Sequence, residues 1–309
     1  MIRKLVNPLD LSIQEYYHLF ETGKIIYESP QDFTQLANSK ILATLFYEPS
    51  TRTRMSFESA MFRLGGKVLS MADTSTSSVA KGESLADTIK TISNYVDIIV
   101  IRHPKDGSAE VAVKYSSVPV INAGDGAHHH PTQTLTDLFT LYMYRGKVSN
   151  ISFGFCGDLK YGRTVHSLIT TLARYPDVNY YLISPEELKL PQHIKNSVLE
   201  VNPKVTFNES YQMEEVLPNL DVLYMTRIQR ERFFNEEDYL RLKDTFILDK
   251  NKVNLMKKDA LIMHPLPRIS EITYEVDDDP RAIYFEQAKL GMYIRMALIS
   301  LMLGLNTNR

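Results

Sequence analysis

The sequence predicts an α/β protein of two domains, each a parallel β-sheet flanked by helices, with the active site in the interdomain crevice. Three observations carry this expectation. Continuous apolar runs at residues 41–47, 98–102 and 151–156 suit strands buried on both faces. Segments with apolar residues at helical spacing separate such runs, the alternation from which parallel sheets are built. A chain of 309 residues is also long enough for two domains with cores of their own.

Residues 12–28 follow a helical apolar spacing, and the strand at 41–47 comes next. Pro49 ends that strand. A helix then starts near Ser50 or Thr51, because Phe57, Met61 and Leu64 fall on one helical face and Gly65-Gly66 supplies a left-handed stop. A second strand, 67–71, leads into the hydroxyl-rich segment 73–83, which reads as a loop. A helix at 85–95, a strand at 98–102 and a strand at 118–122 follow. The helix expected at 134–144, closed by Gly146, bridges the domains. Beyond it lie a strand at 151–156, a helix at 164–173, strands at 178–183, 205–207 and 261–263, and a last helix at about 284–303 that returns to the first domain. The expected domains are therefore residues 1–133 plus 288–309, and residues 134–287.

Composition narrows the function classes. Hydrophobic residues make up 44% and charged residues 23%, as in soluble globular proteins. The net charge of -2 gives no global basic field, so nucleic acid and anionic membrane are not expected partners. A single cysteine, Cys156, excludes an internal disulfide and fits a reducing cytoplasm. The first residues lack the apolar core of a signal peptide, and the apolar tail segment 296–305 is far short of a membrane span.

The chemistry is concentrated after strand ends. At Ser50-Thr51-Arg52-Thr53-Arg54 a helix start, with its unpaired N–H groups, is joined by three hydroxyls and two guanidiniums, a seat for phosphate. Arg52, Arg102, His130, Arg163, Arg227 and Gln229 all follow predicted strands, where open α/β sheets bind ligands. Four arginines, a histidine and a glutamine describe a substrate with several negative groups. A zinc site at His128-His129-His130 is not expected: adjacent residues point different ways, and no Cys, Asp or Glu follows at ligand spacing. No Ser or Cys sits in a nucleophile elbow, so a transfer reaction would proceed directly between two positioned substrates. No cofactor and no metal are expected.

Five motifs, in order, resemble the catalytic chains of the aspartate carbamoyltransferase family over nearly the whole length. They are Ser50-Thr51-Arg52-Thr53-Arg54, Lys81-Gly82-Glu83, His130-Pro131-Thr132-Gln133, the run from Asp158 through Arg163 to Ser167, and His264-Pro265-Leu266-Pro267-Arg268. Ornithine carbamoyltransferases share the first motif but usually show Cys where this chain has Thr132 and Pro265, and a Ser-Met-Gly motif that is missing here. The resemblance implies transfer of the carbamoyl group of carbamoyl phosphate to the amino group of L-aspartate, the committed step toward pyrimidines. It implies that Ser50, Thr51, Arg52, Thr53 and Arg102 hold the phosphate, and that His130, Thr53 and Arg52 polarise the carbonyl. Gln133 and the backbone carbonyls of Pro265 and Leu266 would hold the carbamoyl amine. Arg163, Arg227 and Gln229 would grip the aspartate carboxylates, and Ser77 and Lys81 would come from an adjacent subunit of a homotrimer. A separate regulatory chain is left open, as are two other readings: a carbamoyltransferase with another amine acceptor such as ornithine, and a non-catalytic phosphate-metabolite sensor. The chain departs from the family pattern at Ala80-Lys81 and at His128-His129.

Overall fold

The computed structural model describes residues 2–71, 82–228, 236–242 and 246–307. The chain divides into two compact units, Met1–Tyr144 with Lys289–Arg309, and Arg145–Ala288. The first boundary thus falls eleven residues after the expected 133/134, because the helix expected to bridge the domains lies almost wholly in the first unit.

In the first unit the order is β1 (Lys4–Leu5), α1 (Ile13–Glu28), β2 (Ile41–Phe46), α2 (Thr51–Arg63), β3 (Lys67–Met71), α3 (Leu85–Ile92), β4 (Ile98–His103), α4 (Ser108–Tyr115), β5 (Val120–Asp125) and α5 (Pro131–Arg145). The strands form one parallel sheet in the order β1-β5-β4-β2-β3. Val100 and Ile101 of β4 and Leu42 of β2 are fully or almost fully buried, as strands covered on both faces require. One core cluster joins Ala43, Leu45, Ile99 and Ile101 to Ile89 of α3 and Ala109 and Ala112 of α4. Elsewhere in the unit the Phe20 ring of α1 lies 6.1 Å from that of Phe139 of α5.

The second unit runs through β6 (Ile151–Cys156), α6 (Arg163–Leu172), β7 (Val178–Ile183), α7 (Gln192–Val201), β8 (Phe207–Ser210), α8 (Met213–Val216), β9 (Val222–Met225), α9 (Glu236–Leu242), α10 (Lys250–Val253) and β10 (Leu261–Met263). These strands are also all parallel, in the order β10-β9-β6-β7-β8. The last helix, α11 (Tyr284–Met302), begins in this unit and runs into the first. No helix among the described residues is long and apolar enough to cross a membrane.

Several elements differ from expectation. The strand expected at 118–122 runs on to Asp125, through Gly124 and past an irregularity in its pairing with β4, a stretch whose composition reads as a turn. The strand expected at 205–207 is shifted to Phe207–Ser210. Two residues of β1 are too few to carry a period, and they are specified by pairing with Val120 and Ile121.

Both sheets reverse their strand order once, between β2 and β4 in the first unit and between β6 and β9 in the second. Connections leave such a point in opposite directions, so the carboxyl ends of its two strands border a crevice suited to ligands. Register fixes which residues meet there. Phe46 pairs with Arg102, and the Tyr47 N–H donates to the Arg102 carbonyl at 2.8 Å. In the second sheet Cys156 pairs with Met225. Gly157, immediately beyond, has φ +115, and a Cβ there would stand 2.3 Å from the Thr226 carbonyl oxygen. The turn after β6 therefore runs against the backbone that precedes Arg227. Gly157→Ala is expected to destabilise the protein by about 2–4 kcal/mol, the sum of an unfavourable φ and a backbone clash, read as a lower urea midpoint. An unchanged midpoint would mean that Thr226 gives way freely.

Candidate active site

At the first switch point, Ser50 is the N-cap of α2, with extended backbone at φ -157 and ψ 94, yet its hydroxyl makes no capping bond to the helix. Thr51 and Arg52 are exposed and Thr53 is partly buried. Arg52 and three hydroxyl residues thus occupy the N-cap and first turn of a 13-residue helix, whose positive end suits phosphate. Arg102, at the end of the neighbouring strand, is 9% exposed. Its guanidinium donates to Glu48 Oε1 at 2.9 Å and to the Ala123 carbonyl at 3.4 Å. A buried cation held this way keeps a fixed direction.

His130 precedes the first residue of α5 and is 5% exposed. Its Nδ1 accepts the Gln133 N–H at 3.3 Å. In the neutral ring the proton then sits on Nε2, which makes that atom a hydrogen-bond donor. Gln133 donates through Nε2 to Asp137 Oδ1 at 2.8 Å, one turn along the helix, so its Oε1 is the atom that can accept from a ligand N–H. Arg295 of α11, 5% exposed, donates to Ser56 Oγ of α2 at 2.9 Å and lies over the Phe57 ring at 5.0 Å. Burial lowers its pKa to about 10, against the pull of Asp137, so it stays cationic at neutral pH.

At the second switch point, Asp158 Oδ1 accepts the N–H groups of Lys160 at 3.1 Å and Tyr161 at 2.9 Å, an Asx turn that feeds the chain into α6. Gly162 is the N-cap of that helix and Arg163 its first residue. The Asp158 N–H donates to Thr226 Oγ1 at 3.1 Å, and the Thr226 N–H and hydroxyl both donate to the Cys156 carbonyl, at 2.8 and 3.0 Å. These bonds stitch the turn bearing Arg163 to the strand end bearing Arg227. Both arginines are partly buried. Cys156 is fully buried, and burial pushes its thiol pKa up, which excludes it as a nucleophile.

After β10 the backbone turns through Pro265 and Leu266, with Leu266 at φ +54 and a cis Leu266-Pro267 bond. His264 builds this turn. Its Nδ1 accepts the Leu266 N–H at 2.7 Å, its Nε2 donates to Glu271 Oε1 at 2.7 Å, and its own N–H donates to Gln287 Oε1 at 3.0 Å. Burial lowers the pKa of the imidazole, and an accepting Nδ1 agrees with a neutral ring. Glu271 Oε2 also accepts the N–H groups of Ile269 and Ser270.

The first unit carries Ser50, Thr51, Arg52, Thr53, Arg102, His130 and Gln133 at strand ends and helix starts, and the second carries Arg163, Arg227, Pro265 and Leu266 in the segments that follow β6, β9 and β10. Ser77, Lys81 and Gln229 lie outside the described residues. Sequence reading quoted His264 only as part of a motif and missed Glu48, Asp137, Arg295 and Glu271, which with it orient the groups above. Only Asp137 left a signal, its i+4 spacing from Gln133.

Two sequence families of domains match the chain: "Aspartate/ornithine carbamoyltransferase, carbamoyl-P binding domain" over residues 3–143 and "Aspartate/ornithine carbamoyltransferase, Asp/Orn binding domain" over residues 149–302. The aspartate carbamoyltransferase catalytic subunit of Clostridium botulinum (strain Loch Maree / Type A3) is 56% identical over 302 residues, covering 98% of each chain. The catalytic subunit of M. jannaschii aspartate transcarbamoylase superposes with a TM-score of 0.91 at 46% identity, covering 98% of each chain. Aspartate transcarbamoylase from Trypanosoma cruzi, in complex with N-(phosphonacetyl)-L-aspartic acid, gives 0.91 at 36% identity over 96% of this chain and 94% of that one. Matched along both units, the chain belongs to the aspartate/ornithine carbamoyltransferase family.

Proposed function

We propose that this chain is the catalytic subunit of an aspartate carbamoyltransferase. It moves the carbamoyl group of carbamoyl phosphate to the amino group of L-aspartate, giving N-carbamoyl-L-aspartate and phosphate in pyrimidine biosynthesis. One observation carries the reading: cationic groups stand at the switch points of both sheets, at a helix start suited to phosphate in one unit and as a stitched Arg163 and Arg227 pair in the other. The ligand of the T. cruzi relative carries a phosphonate and an aspartate, one group for each half.

Ser50, Thr51, Arg52, Thr53 and Arg102 bind the phosphate of the donor. Arg52, Thr53 and the Nε2–H of His130 draw charge onto the carbamoyl oxygen as it becomes anionic, the electrostatic contribution that dominates such reactions. Gln133 Oε1 and the carbonyls of Pro265 and Leu266 accept the carbamoyl N–H groups and fix the plane of attack. Arg163, Arg227 and Gln229 hold the acceptor carboxylates. The aspartate nitrogen bonds to the carbamoyl carbon, the bond from that carbon to the phosphate oxygen breaks, and the proton lost by nitrogen leaves with phosphate. No side-chain nucleophile takes part. Ser77 and Lys81 are supplied by the neighbour in a homotrimer, and a separate regulatory chain is compatible with this assignment. An assembly through the first unit is supported by the exposed Met55 and Phe62, seven residues apart on α2, and by the exposed Leu69 on edge strand β3.

The reading is tested by assaying aspartate and ornithine side by side as acceptors of carbamoyl phosphate. Activity with aspartate alone is expected, and activity with ornithine alone overturns it. Arg227→Ala should reduce kcat/KM for aspartate by about two to four decades, from two charge-assisted hydrogen bonds of about 1.5–3 kcal/mol each, while carbamoyl phosphate affinity holds. Equal loss for both substrates would count against the acceptor assignment. Lys81→Ala and Arg52→Ala should each lose about a hundredfold or more in turnover. Mixing the two inactive proteins under subunit exchange should restore activity, since some interfaces then pair an intact Arg52 with an intact Lys81. Hybrids verified by native mass spectrometry that stay inactive would show that each site lies within one chain.

A further inference from the structure

Away from the phosphate seat, the turn after β5 approaches the start of α4. Asp125, the last residue of β5, is 1% exposed, and its Oδ2 accepts the Gly107 N–H at 3.0 Å, where Gly107 is the N-cap of α4 at φ +76. Glu110 lies in the first turn of that helix. His128 lies in the turn after the strand, with Nδ1 3.3 Å from Asp125 Oδ2. One ligand atom from each of Glu110, Asp125 and His128 falls within 4.8 Å of the others, the one such group of three among the described residues.

The spacing of His128 and Asp125 also fits two ligands of one metal ion. A charge-assisted N–H···O bond runs about 2.7–2.9 Å, shorter than the His128 to Asp125 separation. Two ligands on one tetrahedral zinc, at about 2.0–2.2 Å each, stand roughly 3.3–3.6 Å apart. Asp125 is already oriented for this, because its Oδ1 accepts Asn122 Nδ2–H at 2.8 Å and the His129 N–H at 3.2 Å, the kind of supporting bonds that ligating carboxylates have. The turn is tied down independently by the Ala127 N–H, which donates to Asp106 Oδ1 at 2.8 Å. Glu110 and His128 are both exposed, so an ion can enter, and their side chains can move the remaining distance. One imidazole and two carboxylates suit a first-row divalent ion such as zinc better than magnesium or calcium. The run of histidines has no acidic residue following it at ligand spacing; the two carboxylates precede it, three and eighteen residues upstream of His128.

We propose that Glu110, Asp125 and His128 bind a divalent transition-metal ion, zinc being the probe of choice, with water completing the tetrahedron. The ion clips the start of α4 to the turn that ends two residues before His130, outside the set of groups assigned to the substrates. Calorimetric titration of the full chain with zinc chloride in a non-chelating buffer is expected to give one ion per chain and a rise in Tm with added zinc, as for any ligand of the folded state. His128→Ala and Glu110→Gln should each weaken binding by at least about tenfold, the scale on which even an outer-sphere partner matters. Both variants should keep the metal-free Tm and the basal transferase activity, which separates loss of the site from loss of the fold. Cobalt should give the intense visible bands of a tetrahedral centre in the parent and not in His128→Ala. No zinc binding by the parent, or the same affinity in both variants, overturns the proposal.

Discussion

Both proposed substrate sites depend on one constraint, the reversal of strand order in an all-parallel sheet. Strand-to-strand crossovers are right-handed, so successive connections on one side of the reversal cover one face of the sheet and those on the other side cover the opposite face. At the reversal no connection bridges the two strand ends, and the side chains that follow them meet. In the first sheet these ends are β2 and β4, which brings the start of α2 beside Arg102. In the second they are β6 and β9, which brings the Asp158 turn beside Thr226 and Arg227. The same geometry serves twice, and only the side chains distinguish the proposed phosphate seat from the proposed carboxylate grip.

Placing cations at such points requires partners, since an unpaired buried charge is strongly unfavourable. Arg102 is matched by Glu48 and by the Ala123 carbonyl. Arg295 is buried from α11 between Ser56, the Phe57 ring and the field of Asp137, and Asp137 also holds Gln133. Helix α11 thus connects α2, with the proposed anion seat, to α5, which carries Gln133 and follows His130. In the second unit a neutral His264 plays the corresponding part for the backbone of Pro265 and Leu266, using both ring nitrogens and its N–H. These partners carry no substrate chemistry in the proposed reaction, yet they set the direction in which each functional group can act.

Local information was legible in the chain. The start of α2 at Ser50 and Thr51, the apolar face of Phe57 and Met61, and strands β3 and β6 follow from spacing and capping rules that operate over a few residues. The strand-to-helix junctions bearing Arg52 and Arg163, and the strand end bearing Arg102, were visible for the same reason, because a helix start and a strand end are local events. Where two signals compete, sequence reading failed: Gly124 and Asp125 read as a turn, yet pairing with β4 holds them extended. The helix α4 was passed over altogether, since its eight residues are short and its burial depends on Ala109 and Ala112 meeting a core built from β2, β4 and β5.

What the sequence by itself determined, then, is the order of the longer strands and of several helices, the residue types at their ends and the class of anionic ligand those types suit. Strand order, and so which ends adjoin, was decided only in three dimensions, because neighbours such as Phe46 and Arg102 are far apart in the chain and no short-range rule relates them. The partners of charged groups were decided there too: Arg295 reaches Ser56 across 239 positions, and Glu110 and His128 come together only when β5 pairs with β4. A buried charge is stable only where the fold brings it a partner, and a partner defined by distance leaves no period in the sequence to read.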